Sequence, residues 1–237
     1  MTKNGKRVPE STNQNAVKGF AFKADVKHYF DTVDHQVLLR ILEKRVKDKG
    51  VLWLSKVILY NYDAGISGKG MPLGNWTSQF FANVYLNELD QYVKHELKAK
   101  YYLRYVDDFI ILNEQKSVLE KHKEKIKTFL EGIKLELHQN KSKITPLCRG
   151  TSLLGFRAFY HYKLVRQRNI RKIWNKFKEM LDAYDMQKVE ASEILNTLQG
   201  WNAYAKQGNT YRLRQHLTLI IEQELEARTI QLQKPSG

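Results

Sequence analysis

The chain has 237 residues, enough for one domain with a smaller appendage, and its hydrophobic content of 42% argues for a folded protein. Its 40 Lys and Arg residues against 25 Asp and Glu give a formal net charge of +15, which favours a polyanionic partner, either nucleic acid or an acidic membrane surface. A single cysteine excludes an internal disulfide and a cysteine-cluster zinc site, and the lack of a signal-peptide core or of an apolar stretch of ~20 residues predicts a cytoplasmic protein with no membrane partner.

The N-terminal third predicts a strand followed by helices. The alternation of apolar and polar residues in "GFAFKADV" predicts a half-buried strand whose polar face ends in Asp25. Asp34 is expected to cap a helix that Gly50 terminates, and a second apolar helix and a Gly-rich loop follow. Thr77 or Ser78 is expected to cap the next helix.

The stretch "YYLRYVDDFIIL" places two adjacent carboxylates, Asp107 and Asp108, inside an apolar run. In one continuous strand the two side chains would face opposite ways, and one would enter the core unpaired, which costs too much free energy. We therefore predict a hairpin with the two acids at its tight turn, where Asp tolerates unusual backbone angles. A solvated Asp-Asp turn is the common explanation for such a pair, so a functional interpretation needs support from the rest of the chain.

The C-terminal half predicts a change from mixed to purely helical structure. A charged amphipathic helix is expected over about residues 117–131, and helices continue from about Arg166 onward. Between them we expect the short strands "KLELH", "KSKIT" and "SLLGFRAFY". We predict three segments: a flexible basic segment over 1–18, an α+β unit over 19–162, and a small helical unit over 163–237.

Basic residues concentrate in one segment of the chain. From Lys141 to Lys178 there are 11 Lys or Arg and no Asp or Glu, and aromatic side chains are interleaved with them. This combination is typical of surfaces that track a nucleic-acid backbone, and a generic basic surface is the alternative. The residues that we assign to nucleic-acid binding are Arg166, Arg168, Arg171, Lys172 and Trp174.

Acidic residues from distant parts of the sequence are predicted to meet. Asp25 ends a strand, and Asp107 with Asp108 forms a hairpin tip that can lie beside it. Three carboxylates on one edge of a sheet repel each other unless divalent cations lie between them, and oxygen ligands without His or Cys select Mg²⁺ or Mn²⁺ over zinc. Two such ions ~4 Å apart are suited to in-line nucleotidyl transfer, which predicts a polymerase or a nuclease.

Five motifs then occur in a specific order: "FKADVKHYFD", "GMPLGNWTSQFFANVYLNELD", "RYVDDFIIL", "LELHQNKSKI" and "SLLGFRAF". The set resembles the palm motifs of reverse transcriptases, in particular those of the diversity-generating retroelements, a branch related to group II intron enzymes. The resemblance covers about residues 19–215 and implies an α+β fold: a polymerase palm, with an antiparallel sheet packed on helices, followed by a small all-helical thumb. It also implies RNA-directed DNA polymerase activity by the two-metal route, with two Mg²⁺ ions that Mn²⁺ can replace.

The resemblance implies roles for residues at the reacting centre. Asp25, Asp107 and Asp108 match the catalytic aspartates that hold the metal ions, and the backbone carbonyl of Val26 matches an additional ligand. Phe30 falls where the family keeps an aromatic steric gate, whose ring would collide with a ribose 2′-hydroxyl and so favour deoxynucleotides. A phenylalanine of the core is the alternative for Phe30.

Further residues match the surroundings of the incoming nucleotide, namely Leu73, Gly74, Asn75 and Gln79. Many relatives carry Gln where this chain has Leu73, and an aliphatic residue there resembles the diversity-generating branch, whose enzymes copy template adenines inaccurately. Because leucine cannot hydrogen-bond to a sugar or a base edge, we expect nucleotide selection with fewer oriented contacts and low fidelity.

Two more motifs receive roles from the resemblance alone. Lys141 resembles the lysine that lies near the departing pyrophosphate and protonates it, and Lys143 is close enough in sequence to be the alternative. Leu154, Gly155 and Phe156 resemble the primer grip, a hairpin that directs the primer 3′ end.

One feature departs from the family pattern. Reverse transcriptases place a fingers region before the first aspartate motif, and here only 24 residues precede Asp25. The basic N-terminal residues or a partner would supply that function, or the chain is a remnant with impaired activity. The implied partners are an RNA template, a DNA or RNA primer, deoxynucleoside triphosphates, and a small basic accessory protein or another chain that supplies fingers.

Two other functions remain open at this point. One is a finger-less palm and thumb subunit that binds RNA or primer-template with little or no synthesis, and the other is a template-independent nucleotidyltransferase of the antiviral reverse-transcriptase-like kind. Retention of the three aspartates and of Phe30 favours synthesis, whereas the absent fingers favour binding.

Overall fold

The computed structural model describes residues 17–62 and 67–232. The chain divides into two compact units between Arg149 and Gly150. Most of the segment 1–18 that was expected to be flexible lies outside the described residues. The assignment of 19–162 to a palm and 163–237 to a thumb stays a prediction, since the compact units divide earlier in the chain.

The first unit contains a four-stranded antiparallel sheet in the order β2-β3-β1-β4, with helices packed on it. The strands are β1 (Phe20–Asp25), β2 (Tyr101–Tyr105), β3 (Asp108–Asn113) and β4 (Lys143–Pro146). The helices are α1 (Tyr29–Thr32), α2 (His35–Arg45), α3 (Lys49–Tyr60), α4 (Trp76–Gln91) and α5 (Lys116–Gly132), with a π-helical turn at Tyr92–Glu96 and a 3₁₀ turn at Leu147–Arg149.

The register of this sheet separates two faces with different surroundings. Paired residues of antiparallel strands point to the same side, so Phe22 and Ala24 of β1 share one face with Phe109 and Ile111 of β3. We call this the back face; these four residues are completely buried in the main hydrophobic core. The opposite face, which we call the front face, contains the buried residues Ala21 and Ile110 and the partly buried Leu112. It also carries the following residues of β1, β3 and β2: Lys23, Asp25, Asp108, Tyr101, Leu103 and Tyr105.

The first helices are present, but one boundary differs from the prediction. Asp34 caps α2 as predicted, because its carboxylate accepts a hydrogen bond from an N–H of the first turn. The helix ends at Arg45 rather than at Gly50. Asp48 starts α3 by accepting hydrogen bonds from two N–H groups, one of them that of Gly50, so Gly50 lies inside the first turn of α3.

Two further local predictions were wrong. Asn75, in an extended conformation, precedes α4, whereas Thr77 and Ser78 lie inside the helix and the Ser78 side chain is buried. The expected strand "KLELH" forms only an isolated bridge between Val26 and Leu137. Short segments of this kind depend on tertiary contacts more than on their own sequence pattern.

The second unit begins with a small sheet and continues with three helices. Its strands are β5 (Thr151–Leu153), β6 (Phe156–Ala158) and β7 (Lys163–Val165), and its helices are α6 (Gln167–Asp185), α7 (Ala191–Ala205) and α8 (Tyr211–Leu232). Phe156 and Val165 are buried in the same hydrophobic cluster as residues of the helices. The α+β fold class is therefore confirmed, with the correction that strands belong to the helical unit.

None of the described helices has the length and apolar character needed to cross a membrane.

Candidate active site

Two of the predicted catalytic carboxylates lie directly opposite each other on neighbouring strands. Asp25 is the last residue of β1, Asp108 is the first residue of β3, and the two are partners in the register. Their side chains therefore project from the same face of the sheet. A slip by one residue would turn one strand over, so the burial of Phe22 and Ala24 on the back face fixes Asp25 on the front.

The third carboxylate, Asp107, lies in the turn between β2 and β3. The hairpin was predicted, but the residue with a left-handed backbone is Val106, with φ 55°, and not an aspartate. The Asp107 carbonyl accepts a hydrogen bond from the N–H of Val26 at 3.3 Å, which ties the turn to the end of β1. Burial, and then the negative charges of Asp25 and Asp108, raise the pKa of Asp107. The three carboxylates are thus close enough to interact electrostatically.

Two lysines neutralise part of this negative charge. The Nζ atom of Lys141 lies 3.0 Å from Oδ2 of Asp25, and the Nζ atom of Lys23 lies 3.1 Å from Oδ2 of Asp108. Lys141 reaches Asp25 from a turn that starts at His138, whose N–H donates to the Asp25 carbonyl at 2.8 Å. Sequence reasoning missed Lys23, although the alternation of β1 places residue 23 on the same face as residue 25 and was a usable signal.

The donor chemistry of this group fits a divalent cation. Carboxylate oxygens without His or Cys ligands suit Mg²⁺ or Mn²⁺, and the raised pKa of Asp107 reflects burial together with a local excess of negative charge that a cation would relieve. In residues 17–62 and 67–232, however, no three His, Cys, Asp or Glu side chains are arranged around one point for a metal ion. The lysine ammonium groups bound to Asp25 and Asp108 supply positive charge in this arrangement.

The residues predicted to surround a nucleotide lie after β1 and before α4. Phe30 is partly buried against the core, and its carbonyl accepts a hydrogen bond from the N–H of Met71 at 2.7 Å, which ties the loop before α4 to the segment after Asp25. Leu73 is 73% exposed, and Gly74 has φ 92° with open space around it, so glycine suits that position for its backbone angle. Exposed Asn75 immediately precedes α4, and exposed Gln79 lies in its first turn.

The predicted primer grip forms a tight hairpin between β5 and β6. Leu154 and Gly155 both have positive φ angles, 49° and 83°, as a two-residue type I′ turn requires. A Cβ atom on Gly155 would overlap the Tyr204 hydroxyl and the Asn169 amide, so a larger residue there requires both side chains to shift. Phe156 is buried in the core of the second unit. The hairpin itself is confirmed, and its contact with a primer stays a prediction.

The predicted nucleic-acid-binding residues lie at the start of α6. Four cations there are exposed: Arg166, Arg168, Arg171 and Lys172. Trp174 instead packs partly against the core of the second unit, and its ring meets His216 at a centroid distance of 6.5 Å. The four cations are available to a polyanion, whereas Trp174 offers only part of its ring for stacking.

Comparisons with known proteins identify relatives of the chain. Residues 3–158 match the family model described as reverse transcriptase (RNA-dependent DNA polymerase). Protein YkfC of Escherichia coli (strain K12) is 28% identical over 189 residues, which cover 63% of this chain and 48% of YkfC. Group II intron-encoded protein LtrA of Lactococcus lactis subsp. cremoris is 32% identical over 84 residues, which cover 33% of this chain and 14% of LtrA. The chain therefore spans about half or less of the length of these relatives.

Solved structures give a weaker match. Telomerase from Candida albicans, in complex with a TWJ fragment of telomeric RNA, aligns with 91% of this chain and 40% of its own at 14% identity and a TM-score of 0.49. Apo telomerase from Candida tropicalis aligns with 62% of this chain and 31% of its own at 14% identity and a TM-score of 0.47. Similarity at this level adds nothing to the functional assignment.

Proposed function

Because the chain belongs to the reverse transcriptase (RNA-dependent DNA polymerase) family, we propose that it is an RNA-directed DNA polymerase that extends a primer with deoxynucleotides. The observation that supports this most directly is the placement of Asp25 opposite Asp108, with the Asp107 turn bonded to the residue after Asp25. Asp25 and Asp108, which are more than 80 positions apart in the chain, thereby project from the same face of the sheet. The origin within the diversity-generating branch stays a prediction.

The proposed reaction joins the primer 3′-hydroxyl to the α-phosphate of a deoxynucleoside triphosphate and releases pyrophosphate. Asp25 and Asp107 would hold two Mg²⁺ or Mn²⁺ ions, with Asp108 and the Val26 carbonyl as further oxygen donors. Bound divalent ions supply activation of the attacking hydroxyl and charge stabilisation of the leaving phosphates. Lys141, whose ammonium group lies at Asp25, would then be free to donate a proton to the pyrophosphate.

Substrate selection is proposed to depend on the loop and helix around the nucleotide site. Phe30 would exclude a ribose 2′-hydroxyl, and Leu73 would leave the base or sugar edge without a hydrogen bond, which lowers fidelity. The exposed cations at the start of α6 would contact the phosphates of an RNA template and its primer. Each phosphate neutralised makes binding more salt-dependent, so we expect affinity to fall steeply with salt. A small basic accessory protein is the proposed protein partner.

Primer extension tests this function. The substrate is poly(rA)/oligo(dT) with dTTP and either Mg²⁺ or Mn²⁺, and the variants are Asp107→Ala and Asp182→Ala, the latter removing an exposed carboxylate of α6. We expect the unaltered chain to extend the primer, Asp107→Ala to lose roughly 10³-fold in rate and Asp182→Ala to lose nothing. The reason is that, of these two residues, only Asp107 would bind a metal ion. Equal extension by the two variants would contradict the proposed role of Asp107.

A second candidate function is binding of primer-template without efficient synthesis. The ion pairs of Asp25 with Lys141 and of Asp108 with Lys23 favour it, because a divalent cation has to replace the lysine at the carboxylates. Binding of labelled poly(rA)/oligo(dT) without any extension, in either metal, would support this candidate over the polymerase. Extension that is indifferent to the template would instead support the template-independent nucleotidyltransferase.

A further inference from the structure

We propose that Arg104 is a positioning residue that holds the Asp107 turn in its working conformation through the backbone carbonyl of Val106. The inference rests on the proposed polymerase function, because it concerns the orientation of a carboxylate that would serve that reaction. Arg104 belongs to β2 and pairs in register with Phe109, so its side chain lies on the back face of the sheet.

A charged side chain in this position is costly unless it is paired. The Arg104 side chain is only 11% exposed, and its partner is Asp90 of α4. The Nε and Nη2 atoms donate to the two carboxylate oxygens at 2.7 and 2.6 Å, in a two-point geometry that fits the planar guanidinium group. Although burial disfavours its charge, the ion pair with Asp90 raises the pKa of Arg104, and the group stays charged.

The third nitrogen of the guanidinium group, Nη1, reaches the turn. Nη1 of Arg104 donates to the carbonyl of Val106 at 2.9 Å and to the side chain of Asn83 at 3.2 Å. One side chain therefore joins α4 to the residue that immediately precedes Asp107. The same turn is held on its other side by the hydrogen bond from the Val26 N–H to the Asp107 carbonyl.

The conformation of Val106 explains why the turn needs such support. A β-branched residue with φ 55° is rare and unfavourable, and it persists only where the surroundings hold it. The peptide that joins Val106 to Asp107 carries the carbonyl that Arg104 binds, so its orientation sets the direction of the Asp107 side chain. Lysine has the same charge but cannot bind two carboxylate oxygens and a carbonyl in one plane.

A purely structural ion pair between α4 and β2 is the competing explanation, and Arg104→Lys separates the two. We expect its single-turnover rate of nucleotide addition, expressed per active enzyme, to fall roughly 10–100-fold. The dTTP concentration that gives half of the maximal rate should stay within about threefold of the value for the unaltered chain. The control is Lys44→Gln, which removes an exposed ion pair between α2 and α4. A structural role would lower the thermal midpoint and the active fraction of Arg104→Lys, but would leave its rate per active enzyme unchanged.

A second variant covers the case in which Arg104→Lys does not fold. Arg104→Met combined with Asp90→Leu and Tyr102→Phe replaces the ion pair, and the hydroxyl that is bonded to Asp90, by apolar side chains, a change that is often neutral or stabilising. The structural explanation predicts that both the thermal midpoint and the rate per active enzyme recover. Our proposal predicts that the midpoint recovers and the rate stays roughly 10–100-fold low, because the Val106 carbonyl has lost its donor. A rate equal to that of the unaltered chain overturns the proposal.

Hydrogen exchange tests the proposal without any polymerase assay. In Arg104→Lys, or in the triple variant, we expect the Val26 amide, which donates to the turn, to exchange at least about tenfold faster, while the Ile111 amide in β3 is unchanged. Unchanged exchange at Val26 overturns the proposal. If the unaltered chain synthesises no DNA, the polymerase function fails, and this measurement still decides whether Arg104 holds the turn.

Discussion

The back face of the four-stranded sheet buries Phe22, Ala24 and Phe109 completely, whereas the front face leaves Tyr101 and Leu103 more than half exposed. Both faces are built from the same strands, and residues alternate between them along each strand. The difference shows that one face can supply stability through burial while the other keeps polar groups accessible. The carboxylates Asp25 and Asp108 belong to the accessible face.

Arg104 is the exception that connects the two faces. It lies on the back face, where its neighbours in the register are apolar, yet its guanidinium group ends at the turn that carries Asp107. A comparison of the faces therefore predicts that most substitutions on the back face change stability, that substitutions at the carboxylate end of the front face change activity, and that substitution of Arg104 changes both.

The largest expected effect is in the turn beside the carboxylates of the front face. Asp107→Asn should lower primer extension by roughly 10³-fold, because a neutral amide is a poor ligand for a divalent cation. The same change should raise the thermal midpoint by roughly a few degrees at pH 7, since it removes a charge that burial and two neighbouring carboxylates disfavour. Parallel activity assays and thermal melts, with Asp182→Asn as the control, check both results.

The pH dependence of that stability difference follows from the raised pKa. Because its pKa is raised, the Asp107 carboxyl group binds a proton more tightly in the native chain than in the unfolded chain. Protonation of this one group at falling pH therefore stabilises the native chain. The advantage of Asp107→Asn should therefore disappear below about pH 4, where the carboxyl group is protonated in both states. If the thermal midpoint of Asp107→Asn at pH 7 is lower than that of the unaltered chain, the Asp107 carboxylate contributes to stability instead.

The next effect concerns the buried side of the sheet. Phe22→Ala should lower the free energy of unfolding by about 3–5 kcal/mol, because a completely buried ring leaves a cavity, and Leu103→Ala on the front face should cost less than about 1 kcal/mol. Urea unfolding measures both. Ile111→Val, with an expected cost of about 0.5–1.5 kcal/mol, replaces Phe22→Ala if that variant does not fold. Equal costs at positions 22 and 103 would contradict the division into two faces.

A smaller effect is expected from a matched pair of tyrosines on β2. The Tyr102 hydroxyl donates to Asp90 at 2.6 Å on the back face, whereas Tyr105 on the front face is 56% exposed. Tyr102→Phe should cost about 1.5–3 kcal/mol of unfolding free energy, the range for hydrogen bonds to charged groups, and Tyr105→Phe less than about 0.5 kcal/mol. Chemical denaturation of the two variants, which differ from the parent by one oxygen each, checks the contrast.

The smallest expected effect is that of a substitution outside the sheet, at the exposed Leu73. It tests whether an exposed side chain there affects nucleotide selection. Leu73→Gln should leave stability within about 0.5 kcal/mol, since the side chain is 73% exposed. If Leu73 limits nucleotide selection, the new amide should reduce misincorporation opposite template adenine by up to roughly tenfold, the value of one added hydrogen bond. Single-nucleotide misincorporation rates on an adenine template measure it, and an unchanged error rate would count against the low-fidelity hypothesis.

Several elements could be predicted from local patterns. The alternation of β1 correctly separated Phe22 and Ala24 from Asp25, and the adjacent acids in "YVDD" correctly indicated a hairpin, because buried charge is excluded from a continuous strand. The start of α2 at Asp34 followed from its capping chemistry. The errors at Gly50, and at Thr77 and Ser78 before α4, occurred where several residues with similar propensities compete.

The amino-acid sequence by itself determined which residues of each strand share a face, where the acidic turn lies, and which segment concentrates basic charge. Only the tertiary structure decided that Asp25 pairs in register with Asp108 rather than with Asp107, that Lys23 reaches a residue 85 positions away, and that Arg104 joins Asp90 to the Val106 carbonyl. The physical reason is that local propensities act over a few residues. The register between distant strands is instead set by how the whole core packs, which no short pattern encodes.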